Sequence, residues 1–333
     1  MTKVFPNGKR FAFTIFDDTD VATLGSIQPI YELLHELNIR TTKTVWPLDY
    51  KGDSPFAGSS SLEDREYCSY MQLLHARGFE IAFHGARMET SARDETARAL
   101  RVFREAFGVG PTSYAAHALN RDNIYWGEDR FRYRIWRAAY RLLSKREEPV
   151  YEGHVPGSDF YWLDLAPEIR YVRNLTFDGI NLSSVAPVFP YRTAGTPGVR
   201  AWFPSCDADN VEEFVYLLRQ ESQEELEESG GICILSTHFG KGFVRNGRVR
   251  DDARAVMEAL SRRDGWFVPV TCLLDHLAET RGVQLLKGKQ LFGLEAKWFL
   301  RAYRRMQQRR AYEASEAGYL EAALASRRDG GGD

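Results

Sequence analysis

The stretch Phe11-Ala-Phe-Thr-Ile-Phe-Asp-Asp-Thr-Asp20 decides the fold, because a short apolar run there ends in three acidic residues. The run is rich enough in aromatic and β-branched side chains to predict a strand that is buried on both faces, as in parallel sheets. Asp17, Asp18 and Asp20 then follow the carboxyl end of this strand, where α/β folds place their chemistry. The alternative is that these acids cap the next helix, but three acids in four positions exceed what one cap needs.

Apolar runs alternate with helical patterns along the rest of the chain. Strands are predicted at about 11–16, 41–46, 79–83, 113–116, 169–177, 199–203, 232–237 and 266–270. Helices are predicted at about 26–37, 62–77, 94–107, 127–146, 210–228, 251–262 and 272–280, the first with Ser26 as its cap. This alternation without an internal repeat predicts an α/β fold with a parallel barrel. The pattern is equally compatible with an open, doubly wound sheet.

Three segments depart from this alternation. Residues 147–197 are rich in aromatic residues, Gly and Pro, which predicts a loop-rich insertion within a barrel that spans 1–283. Residues 284–325 are predicted to form a basic amphipathic helical extension, and the tail at 326–333 is predicted to be disordered. The extension either packs on the barrel with a solvated basic face or makes a peripheral contact with a membrane or a protein.

Composition excludes several classes of protein. Lys and Arg number 44 against 46 Asp and Glu, so the net charge of −2 indicates no nucleic-acid partner. The four cysteines are far apart and form no CxxC pair, which argues against a disulfide framework or a cysteine-based zinc module. The N-terminus lacks an apolar signal region, and no apolar run is long enough to span a bilayer. We therefore expect a soluble cytoplasmic protein.

Histidines follow three of the predicted strands. His84, His117 and His238 each come directly after a different apolar run, whereas the other four lie in helical or loop-rich segments. One such histidine could simply be a hydrogen-bonding loop residue. On a parallel barrel, however, all carboxyl ends of the strands share one face, so the imidazoles and the Asp17–Asp18 pair are expected to converge. Imidazole and carboxylate are the ligands of a catalytic zinc-like site, which needs a base and an acid beside it.

These residues resemble the motifs of the polysaccharide deacetylase superfamily, the NodB-homology carbohydrate esterases. Phe13-Thr-Ile-Phe-Asp-Asp is similar to the first motif, which implies Asp17 as the catalytic base and Asp18 as a metal ligand. Gly78-Phe-Glu-Ile-Ala-Phe-His84 is similar to the approach to the second motif and implies His84 as a ligand. Ile232-Cys-Ile-Leu-Ser-Thr-His238 resembles the motif that supplies the catalytic acid, His238. The resemblance implies a distorted (β/α)7–8 barrel.

The chain departs from the family pattern at the remaining ligand. The second motif of the family is HxxxH, but here Met88 stands at the second histidine, and a thioether is a poor ligand for such an ion. We expect His117 to take this position; the alternative is that the site has lost a ligand. The usual Gly after the Asp pair is Thr19, and the role of Asp20 is open. These departures resemble a divergent, WbmS-like branch associated with surface-polysaccharide biosynthesis.

Four further residues are candidates for contact with a substrate. Trp126 and Trp162 could stack on sugar rings, or could belong to the core. Arg87 and Arg173 could bind an anionic group, since guanidinium donates in a bidentate fork. Either arginine could instead orient Asp17. In the family this is the role of an arginine in a third motif, Arg-x-Pro, where this chain has Tyr114-Ala-Ala-His117.

The resemblance implies a metal-dependent enzyme that removes an N-acetyl group from a sugar or an intermediate of glycan biosynthesis. The implied cofactor is a divalent metal, with Zn²⁺ favoured and Ni²⁺, Co²⁺ or Mn²⁺ as alternatives. Two rival hypotheses stay open. The same site could hydrolyse another amide or ester, or the barrel could be an inactive protein that binds glycan or acts as a scaffold.

Overall fold

Seven parallel strands close into a barrel in the computed structural model, which describes residues 5–52, 58–144 and 148–306. In spatial order the barrel strands are β1 (Phe11–Asp17), β2 (Thr42–Val45), β3 (Glu80–Phe83), β4 (Ser113–Tyr114), β5 (Tyr171–Phe177), β7 (Ala201–Asp207) and β8 (Ile232–Thr237). The ring closes because β1 pairs in parallel with both β2 and β8. The predicted barrel is confirmed, and the open sheet is excluded.

Strand β1 is buried along its whole length, as its apolar sequence predicts. Its first half also pairs in parallel with β11 (Gly265–Phe267), outside the ring. Strand β6 (Tyr191–Thr193) runs antiparallel to β7, and a hairpin of β9 (Val244–Arg245) and β10 (Arg248–Val249) follows β8.

Helices cover the barrel and connect its strands. They are α1 (Leu24–Glu36), α2 (Arg65–Ala76), α3 (Arg93–Phe107), α4 (Arg134–Leu143), α5 (Leu182–Val185), α6 (Val211–Leu217), α7 (Gln220–Glu228), α8 (Asp251–Ser261) and α9 (Val270–Arg281). Helix α1 begins at Thr23, whose side chain accepts from the Ser26 backbone in a capping box. The alternative role of the acidic residues as caps is therefore wrong.

Three predicted elements differ from the structure. The long helix predicted at 127–146 is only α4 within the described residues, and a separate 3₁₀ turn at Gly127–Arg130 precedes it. The helix predicted at 210–228 is broken between α6 and α7. The predicted insertion contains β5, which lies between β4 and β7 in the ring, so this segment is partly barrel.

The C-terminal extension packs on the barrel. Strand β12 (Gln284–Leu286) pairs with β6, and a helix at 288–306, here α10, follows it. Helix α10 buries Leu291, Leu294 and Phe299. The remainder of the predicted extension and the predicted tail lie outside the described residues. No helix in the described parts of the chain has the length and apolar character needed to cross a bilayer.

Gly153 lies where the loop before β5 passes over the loop after β4, and it has no room for a side chain. A Cβ atom at Gly153 would lie 1.9 Å from the carbonyl oxygen of Asp122. We expect Gly153→Ala to lower the free energy of unfolding by about 3 kcal/mol, measured by urea denaturation. Gly293→Ala in α10 is the matched control, since its Cβ meets no atom within 4 Å. Equal destabilisation by both substitutions would contradict this account.

Candidate active site

The loops that follow β1 and β8 pack directly against each other. Val21 has a positive φ of 52°, which is strained for a β-branched residue. Its carbonyl group lies where a side chain on Gly240 would be, because a Cβ at Gly240 would approach the carbonyl carbon of Val21 to 2.7 Å. This close approach brings Asp20, in the first loop, beside His238, in the second.

Three histidines from three different strand ends converge on Asp20. His84 Nε2 lies 3.2 Å and His117 Nε2 lies 3.6 Å from Asp20 Oδ1. On the other side, His238 Nε2 lies 3.2 Å from Asp20 Oδ2. The structure thus brings together the three histidines singled out from the sequence, but it places Asp20 at the centre. The sequence indicated Asp20 only as a third acid after β1, beyond the Asp17–Asp18 pair.

Burial and charge set the protonation of this cluster. The hydrogen bonds from His238 and His84 hold the pKa of the Asp20 carboxyl well below its usual value, although burial opposes them. Burial lowers the pKa of His238, but its hydrogen bond to Asp20 and the charges of Asp18 and Asp20 outweigh burial and raise it. Burial also lowers the pKa of His117. These shifts favour the ionised form of Asp20, the protonated form of His238 and the neutral form of His117.

Met88 positions His117 through its backbone. His117 Nδ1 lies 3.0 Å from the Met88 carbonyl oxygen, which also accepts a hydrogen bond from Asn120 Nδ2 at 2.9 Å. A carbonyl can only accept, so Nδ1 carries the proton and the Nε2 that faces Asp20 is unprotonated when the ring is neutral. Met88, which stands at the second histidine of the motif, thus orients the His117 imidazole through its backbone carbonyl.

Arg173 holds Asp18. Its guanidinium donates to both carboxylate oxygens, at 2.9 Å to Oδ1 and 2.6 Å to Oδ2, and to Ser236 Oγ at 2.6 Å. Burial raises the pKa of Asp18, but the charges of Arg173, His84 and His238 outweigh burial and lower it. Of the two roles predicted for Arg173, orientation of a carboxylate is therefore the one that the contacts support, with Asp18 in place of Asp17.

Asp17 lies in a separate buried ion pair. Its carboxylate is 3.0 Å from Lys43 Nζ and accepts hydrogen bonds from Tyr31 Oη at 3.0 Å and from the Phe239 amide at 2.8 Å. Asp17 and Lys43 are both fully buried, and they are register partners on β1 and β2. Burial raises the pKa of Asp17 against the opposing charge of Lys43. Burial this complete does not suit the predicted role of Asp17 as base.

The other predicted substrate residues lie in different surroundings. Trp162 is buried and donates from Nε1 to the Asp122 carbonyl at 2.6 Å, which supports the alternative that it is a core residue. Arg87 is buried with Nη2 3.5 Å from Glu95 Oε1. Trp126 is half-buried beneath the Arg130 guanidinium, which lies 3.8 Å from its ring centre.

Trp46 is a further aromatic side chain at the site, and the sequence patterns did not single it out. Trp46, at the end of β2, is buried, and its ring centre lies 5.5 Å from that of His84 and 5.3 Å from that of His117. Its position after a β-branched run, before Pro47, was the available signal.

The donor chemistry of the cluster fits a divalent ion. Two ligands on one tetrahedral ion with bonds of about 2.0–2.1 Å lie about 3.3 Å apart. Asp20 Oδ1 has this spacing to His84 Nε2 and a slightly longer one to His117 Nε2, whereas the predicted ligand Asp18 has both oxygens on Arg173. In this structure His84 Nε2 and Asp20 Oδ1 are in hydrogen-bonding contact with each other. Among the described residues, no group of three or more His, Cys, Asp or Glu is arranged around a position for an ion.

A comparison with protein-family models gives no match, and neither does a comparison with curated proteins. Solved structures do match. PuuE allantoinase has a TM-score of 0.50 at 13% identity, over 84% of this chain and 93% of that one. A proposed polysaccharide deacetylase from Mycobacterium smegmatis has a TM-score of 0.49 at 15% identity, over 86% and 96%. A proposed O-antigen biosynthesis deacetylase, WbmS of Bordetella bronchiseptica, has a TM-score of 0.36 at 15% identity, over 83% and 93%.

Two of these similar structures are described as proposed polysaccharide deacetylases. The likeness to PuuE allantoinase, at a TM-score of 0.50, is a likeness of fold. A further similar structure, a family 4 acetyl xylan esterase from Clostridium thermocellum, was solved in complex with cobalt. At these identities the likeness defines the fold, whereas the chemistry has to be argued from the site itself.

Asp122 joins the two loops that carry His84 and His117, since its Oδ1 accepts from the Ser91 amide at 3.0 Å. Burial raises the pKa of Asp122 to about 7. Because the unfolded chain releases this proton near pH 4, stability is expected to fall as the pH rises from about 4 to about 7, by up to about 4 kcal/mol. Urea denaturation across this range measures the slope. Asp122→Asn should flatten it, and an unchanged slope would contradict the assignment.

The Lys43–Asp17 pair can be tested by removing one partner or both. Lys43→Met leaves a buried carboxylate unpaired and should cost about 3–5 kcal/mol of unfolding free energy. The double variant Lys43→Met with Asp17→Asn removes both charges and should recover most of that loss in thermal and urea denaturation. If the double variant stays as unstable as the single one, the ion pair does not have this structural role.

Proposed function

We propose that the protein is a hydrolase that removes an N-acetyl group from a sugar, at the site around Asp20. The observation that carries the proposal is the convergence of three imidazoles, from the ends of β3, β4 and β8, on one buried carboxylate. A purely structural cluster has no need of a second carboxylate held by an arginine beside it. Hydrolysis of an amide needs both a base and an acid, which these residues can supply.

Asp18 is the proposed base. Arg173, which also donates to Ser236 Oγ, fixes the position of Asp18, and an ionised carboxylate that accepts two hydrogen bonds still has lone pairs for a water molecule. Asp18 takes the proton of the water that attacks the acetyl carbonyl. This assignment moves the base by one residue from Asp17, and the arginine that orients it is the one on β5.

His238 is the proposed acid. Its Nδ1 lies 3.0 Å from the Asp209 carbonyl oxygen and 3.2 Å from Asp209 Oδ1, which fixes the ring and leaves Nε2 directed at the carboxylates. The protonated Nε2 can donate to the amine that leaves as the C–N bond breaks. Asp209 is thus the residue that orients the acid.

Asp20, His84 and His117 are the proposed holders of a divalent metal, with Asp20 in place of the predicted Asp18. A bound ion supplies Lewis acidity that polarises the acetyl carbonyl. Zn²⁺ suits the mixed carboxylate and imidazole donors, and Ni²⁺, Co²⁺ and Mn²⁺ are the alternatives. The support is the donor spacing and the backbone contact that directs His117 Nε2 towards Asp20.

The proposed substrate is an N-acetylated sugar in an intermediate of surface-glycan biosynthesis, and the proposed location is the cytoplasm. Four free cysteines, two of them buried, suit a reducing compartment. A different amide is the second candidate substrate, since the same groups would attack any accessible carbonyl. The fold likeness to an allantoinase makes allantoin a suitable probe of that candidate.

Asp20→Asn should lower kcat/KM for acetate release from chitooligosaccharides by about 10²–10⁴-fold, because it disrupts the proposed ion site and the contact with His238. Asp18→Asn should cause a similar loss of activity while zinc binding is retained, measured by metal analysis after dialysis. Asp20→Asn should lose the metal, as should His84→Gln, which removes another proposed ligand.

The Lys43→Met and Asp17→Asn double variant is the matched control and should keep its activity. An inactive but folded double variant would restore Asp17 as the base. Turnover of allantoin without any release of acetate would favour the second candidate. Absence of both activities in zinc-loaded protein would overturn the proposal.

A further inference from the structure

Helix α10 presents an exposed apolar stripe away from the barrel. Phe292, Leu300 and Tyr303 recur at helical spacing and are 40%, 57% and 51% exposed within the described residues. Lys289 and Arg304 lie on the same stripe and are exposed. The opposite face is buried and holds the helix against the barrel. The exposed apolar residues Leu300 and Tyr303 are therefore not needed for that packing.

Helix α4 lies beside α10 and has an outer face of the same kind. The Trp136 ring packs on Phe292 and Phe299, at 5.1 and 5.0 Å between ring centres. On the outer face of α4, Ile135 is 61% and Leu142 is 86% exposed. These two are seven residues apart, which is two helical turns, so they lie on one side of the helix.

The charged residues on both helices are basic, apart from one glutamate. Residues 134–143 contain no acid, and residues 288–306 contain only Glu295. Glu295 is buried and accepts from the Arg132 amide at 2.7 Å, so it contributes nothing to the outer surface. Lysine and arginine side chains therefore flank exposed apolar side chains on these two helices. On α4, Arg137 and Arg141 form ion pairs with Asp129 and Glu128 of the preceding turn, so the basic residues that the surface relies on are Lys289 and Arg304 of α10.

We propose that this surface docks on an anionic lipid bilayer. We call it the α4–α10 face and define it by Ile135, Leu142, Lys289, Leu300, Tyr303 and Arg304. Burial of exposed apolar side chains at the boundary between headgroups and acyl chains lowers the free energy of the system. Basic side chains are in addition attracted to anionic headgroups. A second copy of the chain is a poor occupant, because a two-fold contact would oppose like charges.

The face is rigidly attached to the side of the barrel that carries the site. Arg301 of α10 donates to Asp207, at the end of β7, to Asp178 Oδ1 at 2.9 Å and to Thr176 Oγ1 at 2.8 Å. Strands β5 and β7 end at this point, and Asp209, which orients His238, follows β7. Docking through α10 would therefore place the membrane near the edge of the barrel that holds the site.

Vesicle co-sedimentation of the full chain tests the proposal without reference to catalysis. The protein should sediment with vesicles that contain phosphatidylglycerol and remain in solution with pure phosphatidylcholine. The charge reversals Lys289→Glu and Arg304→Glu together should weaken binding at least about 10-fold. Leu300→Glu with Tyr303→Glu should abolish it. Leu73→Glu changes an exposed leucine of α2 and is the matched control, which should bind like the unmodified protein.

Three results would overturn the proposal. The unmodified protein could fail to bind phosphatidylglycerol vesicles, or it could bind them with unchanged affinity in the stripe variants. Alternatively, sedimentation equilibrium without lipid could show a dimer that Leu300→Glu with Tyr303→Glu dissociates, in which case a second copy occupies the face. Circular dichroism of each variant establishes that it is folded before binding is compared.

Discussion

A buried carboxylate that needs positive or hydrogen-bonding partners is the constraint on which the candidate site depends. Asp20 meets this need with three imidazoles that reach it from separate strand ends. Because a buried unpaired charge costs several kcal/mol, the loops after β1, β3, β4 and β8 are held in one arrangement around it. The tight contact between Gly240 and Val21, and the Met88 carbonyl at His117, have the same effect on the backbone.

The three acids after β1 have three different sets of partners. Asp17 pairs with Lys43 inside the barrel, Asp18 with Arg173 at its rim, and Asp20 with the histidines above. Each acid is therefore compensated locally, which allows three carboxylates within four residues to be buried together. Asp17 is fully buried in an ion pair that stabilises the fold. Asp18 and Asp20 are slightly more exposed, and they are the carboxylates that could take part in chemistry.

The sequence predicted the barrel and the convergence of His84, His117 and His238, because strand-end position follows directly from the apolar pattern. It did not predict which acid lies in the cluster. That depends on the register of β1 against β2, which turns Asp17 towards Lys43, and on a strained turn at Val21. The sequence left open whether Trp162 contacts substrate or lies in the core, because its packing against Tyr114 and Phe83 depends on distant segments of the chain.

Anomalous diffraction from crystals soaked in zinc, recorded on both sides of the zinc absorption edge, tests the central claim most directly. We predict one strong peak within coordination distance of Asp20, His84 and His117, with Asp18 still paired to Arg173 and Asp17 still paired to Lys43. A peak bound by Asp18 with Arg173 displaced, or a fully soaked crystal with no peak at Asp20, would contradict it.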